Sequence, residues 1–296
     1  MKNLYVMGAL LLLLGVASAA RPANRRVQKP RTRPRGETPL EKSARLDVLA
    51  EAELSAALDA PFAWRRTSND AHAILEVFGC EDWRRPPAYD RPGFDVAGRD
   101  VLDVGAQVGT FARRALAAGA ASVAAFEPEP ANARLLRENL REFPTAAVFE
   151  AAVVGAEGVD EAELVLGKDY QGVANTWRHS LRAWTHYSGD VQVATVAALS
   201  FGDAVDRAAA AAGRPPTFCK IDVEGAELDI LAAVDDWRDL DRLVVEYSFT
   251  KRRSLAAFRD AADRLRRHFP TVECDRLPDA GDEWPHRTDA LVFCSR

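Results

Sequence analysis

The chain has 296 residues, 48% of them hydrophobic and 28% charged, enough to build a sizeable core in one large or two small globular units. Its net charge of -5 hides an asymmetry: residues 21 to 36 carry seven basic side chains and no acidic one, which leaves the rest of the chain far more acidic. So acidic a body is a poor match for nucleic-acid phosphates, which are recognised by clustered Lys and Arg, and no nucleic-acid partner is expected.

Residues 1 to 20 combine Lys2, a leucine-rich run from Leu4 to Val16 and the small residues Ala17, Ser18 and Ala19, the outline of a secretory signal peptide with its cleavage site. An uncleaved membrane anchor is the rival reading, against which the run is shorter than the ~20 apolar residues that span a bilayer. Membrane contact is expected only there, and only if the segment is retained. Residues 21 to 39 mix Arg, Pro and Thr with almost nothing apolar, a basic tail that cannot bury enough surface to offset the entropy of ordering. Its composition also resembles the two-part plastid presequences of some algae, without the Phe usual at their junction. The expected location is therefore the secretory pathway or the exterior, with a plastid or a membrane anchor as alternatives.

Leu46, Leu49, Leu54 and Leu58 recur at near-helical spacing, Pro61 ends that helix, and a second runs from Ala71 to Phe78 before Gly79. Residues 40–97 read as an N-terminal helical cap on a main domain, 98–296, in which strands and helices alternate. Strands are predicted near 101–104, 122–126, 147–152, 218–223, 242–247, 271–274 and 290–294. Helices are predicted near 111–118, 130–141, 201–212, 226–233 and 254–268. This alternation predicts an α/β fold with a mainly parallel, doubly wound, seven-stranded sheet, and the last two strands form an antiparallel pair at one edge.

The four cysteines, Cys80, Cys219, Cys274 and Cys294, include no C-x-x-C pair and no zinc spacing, so no metal site is expected. In an oxidising compartment Cys274 and Cys294, both in predicted strands, are the candidate disulfide.

The first strand ends in Asp103 and turns through Gly105 and Gly109 into a helix. Ligands of open α/β sheets sit outside the carboxyl ends of the strands, so this loop is where a ligand is sought. The G-x-G-x-x-G dinucleotide fingerprint is absent, because position 107 is Gln and the two glycines are four apart, and no Gly-Lys-Ser/Thr phosphate loop occurs. Phe126-Glu127-Pro128 closes the next strand with a carboxylate about 20 residues further on, where an acid accepts the hydroxyls of a ribose. The same carboxylates, Glu127 and Glu129, also suit a helix N-terminus. A third strand ends in Lys220-Ile221-Asp222-Val223-Glu224-Gly225-Ala226-Glu227.

Together with Asn139, Ala152-Val153 and the Val-x-Val-x-Thr stretch from Val191 to Thr195, these segments resemble the ordered motifs of the FkbM-type class I methyltransferases, over roughly residues 98 to 250. Two departures are visible. Gln107 stands where the family usually has Asn, and Val196-Ala197-Ala198 lacks the acid that often follows the Val-x-x-Thr motif.

The resemblance implies S-adenosylmethionine as cofactor, bound along Asp103, Gly105, Gln107 and Gly109, with Glu127 on the ribose and the strand end from Glu150 to Ala152 near the adenine. It implies methyl transfer to an oxygen of a small molecule or glycan, for which Asp222 or Glu224 is the candidate general base or acceptor-orienting group. The rival functions are an NAD-dependent oxidoreductase, which lacks a third glycine and a Tyr-x-x-x-Lys pair here, and a non-catalytic binding module that retains the fold. The stretch from Gly155 to Asp190 holds Tyr170, Trp177, His179, Trp184, His186 and Tyr187, suited either to stacking on an acceptor ring or to a small satellite core. Nothing in the sequence specifies an oligomeric state.

Overall fold

The strand Asp100–Val104 (β1) consists of five consecutive buried residues, the pattern of a strand covered on both faces. Strands and helices are numbered in chain order. The structure is a computed structural model and describes residues 36–79, 87–167, 171–177, 179–181, 192–249, 254–275 and 288–296. The signal segment, most of the basic tail, Cys80, Tyr170, Trp184, His186 and Tyr187 lie outside the described residues.

β1 runs parallel to Ser122–Phe126 (β2) on one side and Phe218–Ile221 (β7) on the other. Ala146–Phe149 (β3) lies beyond β2, and Arg242–Phe249 (β8) beyond β7, all parallel. Thr288–Ser295 (β10) then inserts antiparallel between β8 and the outermost strand Thr271–Cys274 (β9), giving the order β3-β2-β1-β7-β8-β10-β9. The predicted antiparallel edge is present, with the last strand inside it.

Alternate residues of the central strands feed two cores. Leu102, Val104, Ile221 and Val245 pack with side chains from Phe201–Ala212 (α5), Glu227–Ala233 (α6) and Leu255–Leu265 (α7). Val101, Val123, Phe218 and Val244 pack on the opposite face with Phe111 of Thr110–Ala117 (α3) and Leu136 of Pro130–Leu140 (α4). Each fully buried Phe or Leu contributes about 1.5–3 kcal/mol. Asp103 and Lys220 fall on this second face by the same alternation, so the strand pattern places a charged pair against apolar rings.

Two helices precede β1. Pro39–Ala57 (α1) starts at a capping box in which the Glu41 N–H donates to Thr38 Oγ1 and the Thr38 N–H donates to Glu41. Asp70–Phe78 (α2) packs Ala71, Ile74 and Leu75 against Leu46, Leu49 and Leu54. Its Phe78 also contacts the second core. Asn139 of α4 clamps the segment between them, accepting the Ala63 N–H (2.6 Å) and donating to Ala63 O (2.8 Å) and to Val108 O in the glycine loop (2.7 Å).

Two expectations are corrected. The strand predicted over 147–152 is two: after β3 the chain bends at exposed Glu150, and Ala152–Val154 (β4) joins a separate three-stranded sheet. There it pairs parallel with Val193–Ser200 (β6), whose other edge pairs antiparallel with Glu161–Val165 (β5); the sequence reading assigned neither β5 nor β6 as a strand. Leu164, Val196 and Ala198 close a satellite core over Ala152. Cys274 and Cys294 form no disulfide. Cys274 faces Val292 and Cys294 faces Val272, a diagonal offset of about 7–8 Å that exceeds what a disulfide bridges.

Candidate active site

The loop after β1 is shaped by close approach. Gly105 has φ +79°, and a Cβ on it would lie 1.7 Å from the Asp222 carbonyl oxygen, so no other residue fits. Its N–H and that of Ala106 both donate to Phe126 O (3.0 and 2.9 Å), which hangs the loop from the end of β2. Gln107 also has a positive φ, 52°, and in that conformation its N–H donates to Glu127 Oε2 at 2.8 Å. Gly109 caps α3 against Leu136 of α4.

Glu127 and Glu129 divide the two roles that the sequence left open. Glu129 caps α4, accepting from Ala131 N and Asn132 N, and leaves Glu127 to the loop. Glu127 is buried and accepts from Gln107 N, from Glu129 N (3.0 Å) and from Asn132 Nδ2 (3.2 Å). Burial pushes its pKa up to about 7 despite those hydrogen bonds, which favour the carboxylate.

At the end of β7, Lys220 is likewise buried. Its Nζ lies 3.1 Å from Asp103 Oδ1, donates to Gly105 O at 2.9 Å, and stands 3.6 Å from Asp222. Burial disfavours the ammonium, but Asp103, Asp222 and Glu246 together hold its pKa above the ordinary lysine value. Lys220 thus braces the loop from below. The second oxygen of Asp103 is buried with no hydrogen-bond partner among the described residues.

These elements open onto one cavity of about 750 Å³. One half is bounded by Gly105 to Gln107, Phe126 to Pro128, Asn132 and Ala151 to Val153, so of the predicted cofactor residues Gly105, Gln107, Glu127 and Ala152 line it directly. Asp103 and Gly109 support the loop from behind. Glu150 pairs with Arg137 (2.8 Å) and does not line the cavity. The other half receives Asp222 and Glu224, the two predicted catalytic carboxylates, together with residues the sequence reading missed: Glu76 of α2, Tyr89, Glu246 of β8 and Asp289 of β10.

Glu246 stands two residues along β8 from Val244, the register partner of Lys220, so strand alternation puts it on the same face. Burial raises its pKa well above the ordinary value, and the surrounding Asp222, Glu76, Glu224 and Asp289 add to the rise. Lys220 and Glu246 lie on different strands, so the register that joins them is a tertiary feature, and its partners from α2 and β10 carried no sequence signal either. Trp177 and His179 also line the cavity. The His179 Nδ1 accepts the Gly167 N–H (3.0 Å) and burial lowers its pKa, so this imidazole is held neutral with that nitrogen engaged. Among the described residues no His, Cys, Asp and Glu cluster has the arrangement of a metal site.

A central parallel sheet with one reversed strand beside β8, a glycine loop after its first strand and a carboxylate closing the second define a class I methyltransferase. The FkbM methyltransferase domain matches residues 103–270, and this chain belongs to that family. The fold is similar to an FkbM methyltransferase of Methylobacillus flagellatus (15% identity, TM-score 0.37, covering 84% of this chain and 57% of that one). It is also similar to a precorrin-6y C5,15-methyltransferase of Geobacter metallireducens (14%, 0.34, 68% and 81%). A third is a SAM-dependent O-methyltransferase of Thermotoga maritima (10%, 0.36, 68% and 60%). No curated protein matches the chain in sequence.

Proposed function

We propose that the protein transfers a methyl group from S-adenosylmethionine to a hydroxyl oxygen of a small molecule or glycan. The observation that carries the cofactor assignment is Glu127: a buried carboxylate at the end of β2, aimed by the Gln107 N–H and lining the cavity beside the glycine loop. A ribose diol donates two hydrogen bonds to such a group, and the apolar strand end from Ala151 to Val153 suits an adenine face. The loop from Gly105 to Gln107 lines the same cavity and suits the amino-acid end of the cofactor.

When bound, S-adenosylmethionine supplies an electrophilic methyl carbon with a neutral leaving group. The chain's own work is alignment, exclusion of water and management of one proton. Among the acceptor-side carboxyls, Glu246 is the candidate to take that proton: it lines the cavity, and burial with the surrounding carboxylates raises its affinity for a proton. Asp222 is engaged by Lys220 and better suited to orient the acceptor.

Calorimetric titration with S-adenosylhomocysteine and with NAD tests the cofactor, and labelled methyl transfer to a panel of hydroxylated glycosides tests the reaction. Binding of NAD in preference overturns the proposal, and cofactor binding without turnover on any acceptor favours a binding module. We further infer that residues 1–20 route the chain into the secretory pathway; N-terminal sequencing of the protein from expressing cells reads whether they are removed. Among the described residues no helix is long and apolar enough to cross a membrane.

A further inference from the structure

Asp70, the first residue of α2, is fully buried and lies outside the matched methyltransferase domain. Its Oδ2 accepts the Arg65 backbone N–H (2.9 Å) and Arg65 Nε (2.9 Å), and its Oδ1 accepts Arg65 Nη2 (3.0 Å), Gln107 Nε2 (2.9 Å) and Thr176 Oγ1 (2.6 Å). One carboxylate thus gathers donors from three stretches of chain that are remote in sequence.

Two routes lead from it to Glu127. The first is short: Gln107, anchored to Asp70 by its side-chain amide, gives its own backbone N–H to Glu127 Oε2. A non-glycine residue at φ 52° is held in a backbone conformation that L side chains rarely adopt, and the side-chain anchor offsets the strain. The second route runs through Arg65 to Asn132 Oδ1, and Asn132 Nδ2 donates both to Glu127 Oε1 and to Thr176 O (3.1 Å). Both oxygens of Glu127 are therefore tied to the same buried residue.

We infer that Asp70 is a positioning residue for the nucleoside half of the site, acting on Glu127 through Gln107 and through Arg65 and Asn132. The segment ahead of β1 is then a working part of that half. Its attachment is reinforced where residues 67–69 pair with Ala174: Asn69 N donates to Ala174 O (3.1 Å) and Ala174 N to Thr67 O (3.0 Å). The same pairing brings Trp177 against His72, ring centroids 5.3 Å apart, at the cavity wall.

The inference rests on the cofactor reading above, so its test separates the two. S-adenosylhomocysteine and its 2′-deoxyribose analogue are titrated into the wild type, Asp70→Asn and Gln107→Met, with circular dichroism and thermal melts to confirm folding. The wild type is expected to favour the ribose form by about tenfold or more, the usual value of a hydrogen bond to a charged group. In both variants that ratio is expected to fall below about threefold, whereas a purely structural defect lowers both affinities together and leaves the ratio in place. Gln107→Met keeps the side-chain length and removes only the link, so it decides the matter if Asp70→Asn does not fold. An unchanged ratio in a folded variant, or no ribose preference in the wild type, overturns the inference; failure of the wild type to bind S-adenosylhomocysteine at all overturns the cofactor reading instead.

Discussion

Asp103 and Lys220 are register partners on adjacent parallel strands, and the ammonium of one lies 3.1 Å from the carboxylate of the other in a setting sealed by Phe111, whose ring centroid is 5.7 Å from Nζ. The pair anchors the glycine loop, because the same ammonium also holds the Gly105 carbonyl.

Removing one member of a buried pair strands the other charge, at a cost of about 3–5 kcal/mol. Lys220→Met is therefore expected to destabilise strongly. Adding Asp103→Asn should restore part of the loss, because the orphaned charge is then gone. Urea unfolding of the four proteins of the cycle measures this coupling; strictly additive losses would show that the two residues do not act as a pair.

Glu127 links stability to pH. Its folded pKa, about 7, exceeds the ordinary 4.5, so the folded protein holds this proton more tightly than the unfolded chain. The stabilisation is complete below about pH 4.5 and fades as pH rises through 7, by about 3 kcal/mol in all. In the ligand-free protein, Glu127→Gln should flatten the fall of Tm over that range. Cofactor affinity should run the other way, since ribose hydroxyls donate to the ionised form: S-adenosylhomocysteine binds more tightly at pH 8 than at pH 6 in the wild type, and equally at both in Glu127→Gln.

Glu246→Gln is expected to lower turnover by about 10²-fold or more while leaving S-adenosylhomocysteine affinity within about twofold. Because the raised pKa keeps this carboxyl neutral into a higher pH range, the wild-type rate should climb with pH above the normal carboxylate range, a limb that the variant lacks. Asp222→Asn tests the alternative assignment. If it abolishes that limb and Glu246→Gln does not, the base is Asp222.

Gly105→Ala cannot be absorbed by a side-chain shift, because the atom it meets is backbone: Asp222 O at 1.7 Å. Loss of more than about 2 kcal/mol and of detectable S-adenosylhomocysteine binding is expected. Gly158→Ala is the control, since it has a similar positive φ and nothing within 4 Å. It should cost only about 1 kcal/mol.

The sequence alone determined the central sheet and the first ring of the site. Buried parallel strands are continuous apolar runs, and Asp103, Glu127 and Asp222 stand where such runs stop, so local pattern was enough to find them. The glycine spacing separated this loop from dinucleotide and phosphate loops for the same local reason. What only the tertiary structure decided is convergence. Asp70, Asn132, Thr176 and Glu246 look in sequence like surface polar residues or helix caps, and they acquire meaning because α2, α4, the 171–177 stretch and β8 meet at one cavity. The break between β3 and β4 was hidden likewise, since Ala146 to Val154 is almost uniformly apolar and its division depends on which partner strand each half finds. Burial is a property of the assembled layers, and it is burial that turns an ordinary carboxylate such as Glu127 or Glu246 into one with a raised pKa.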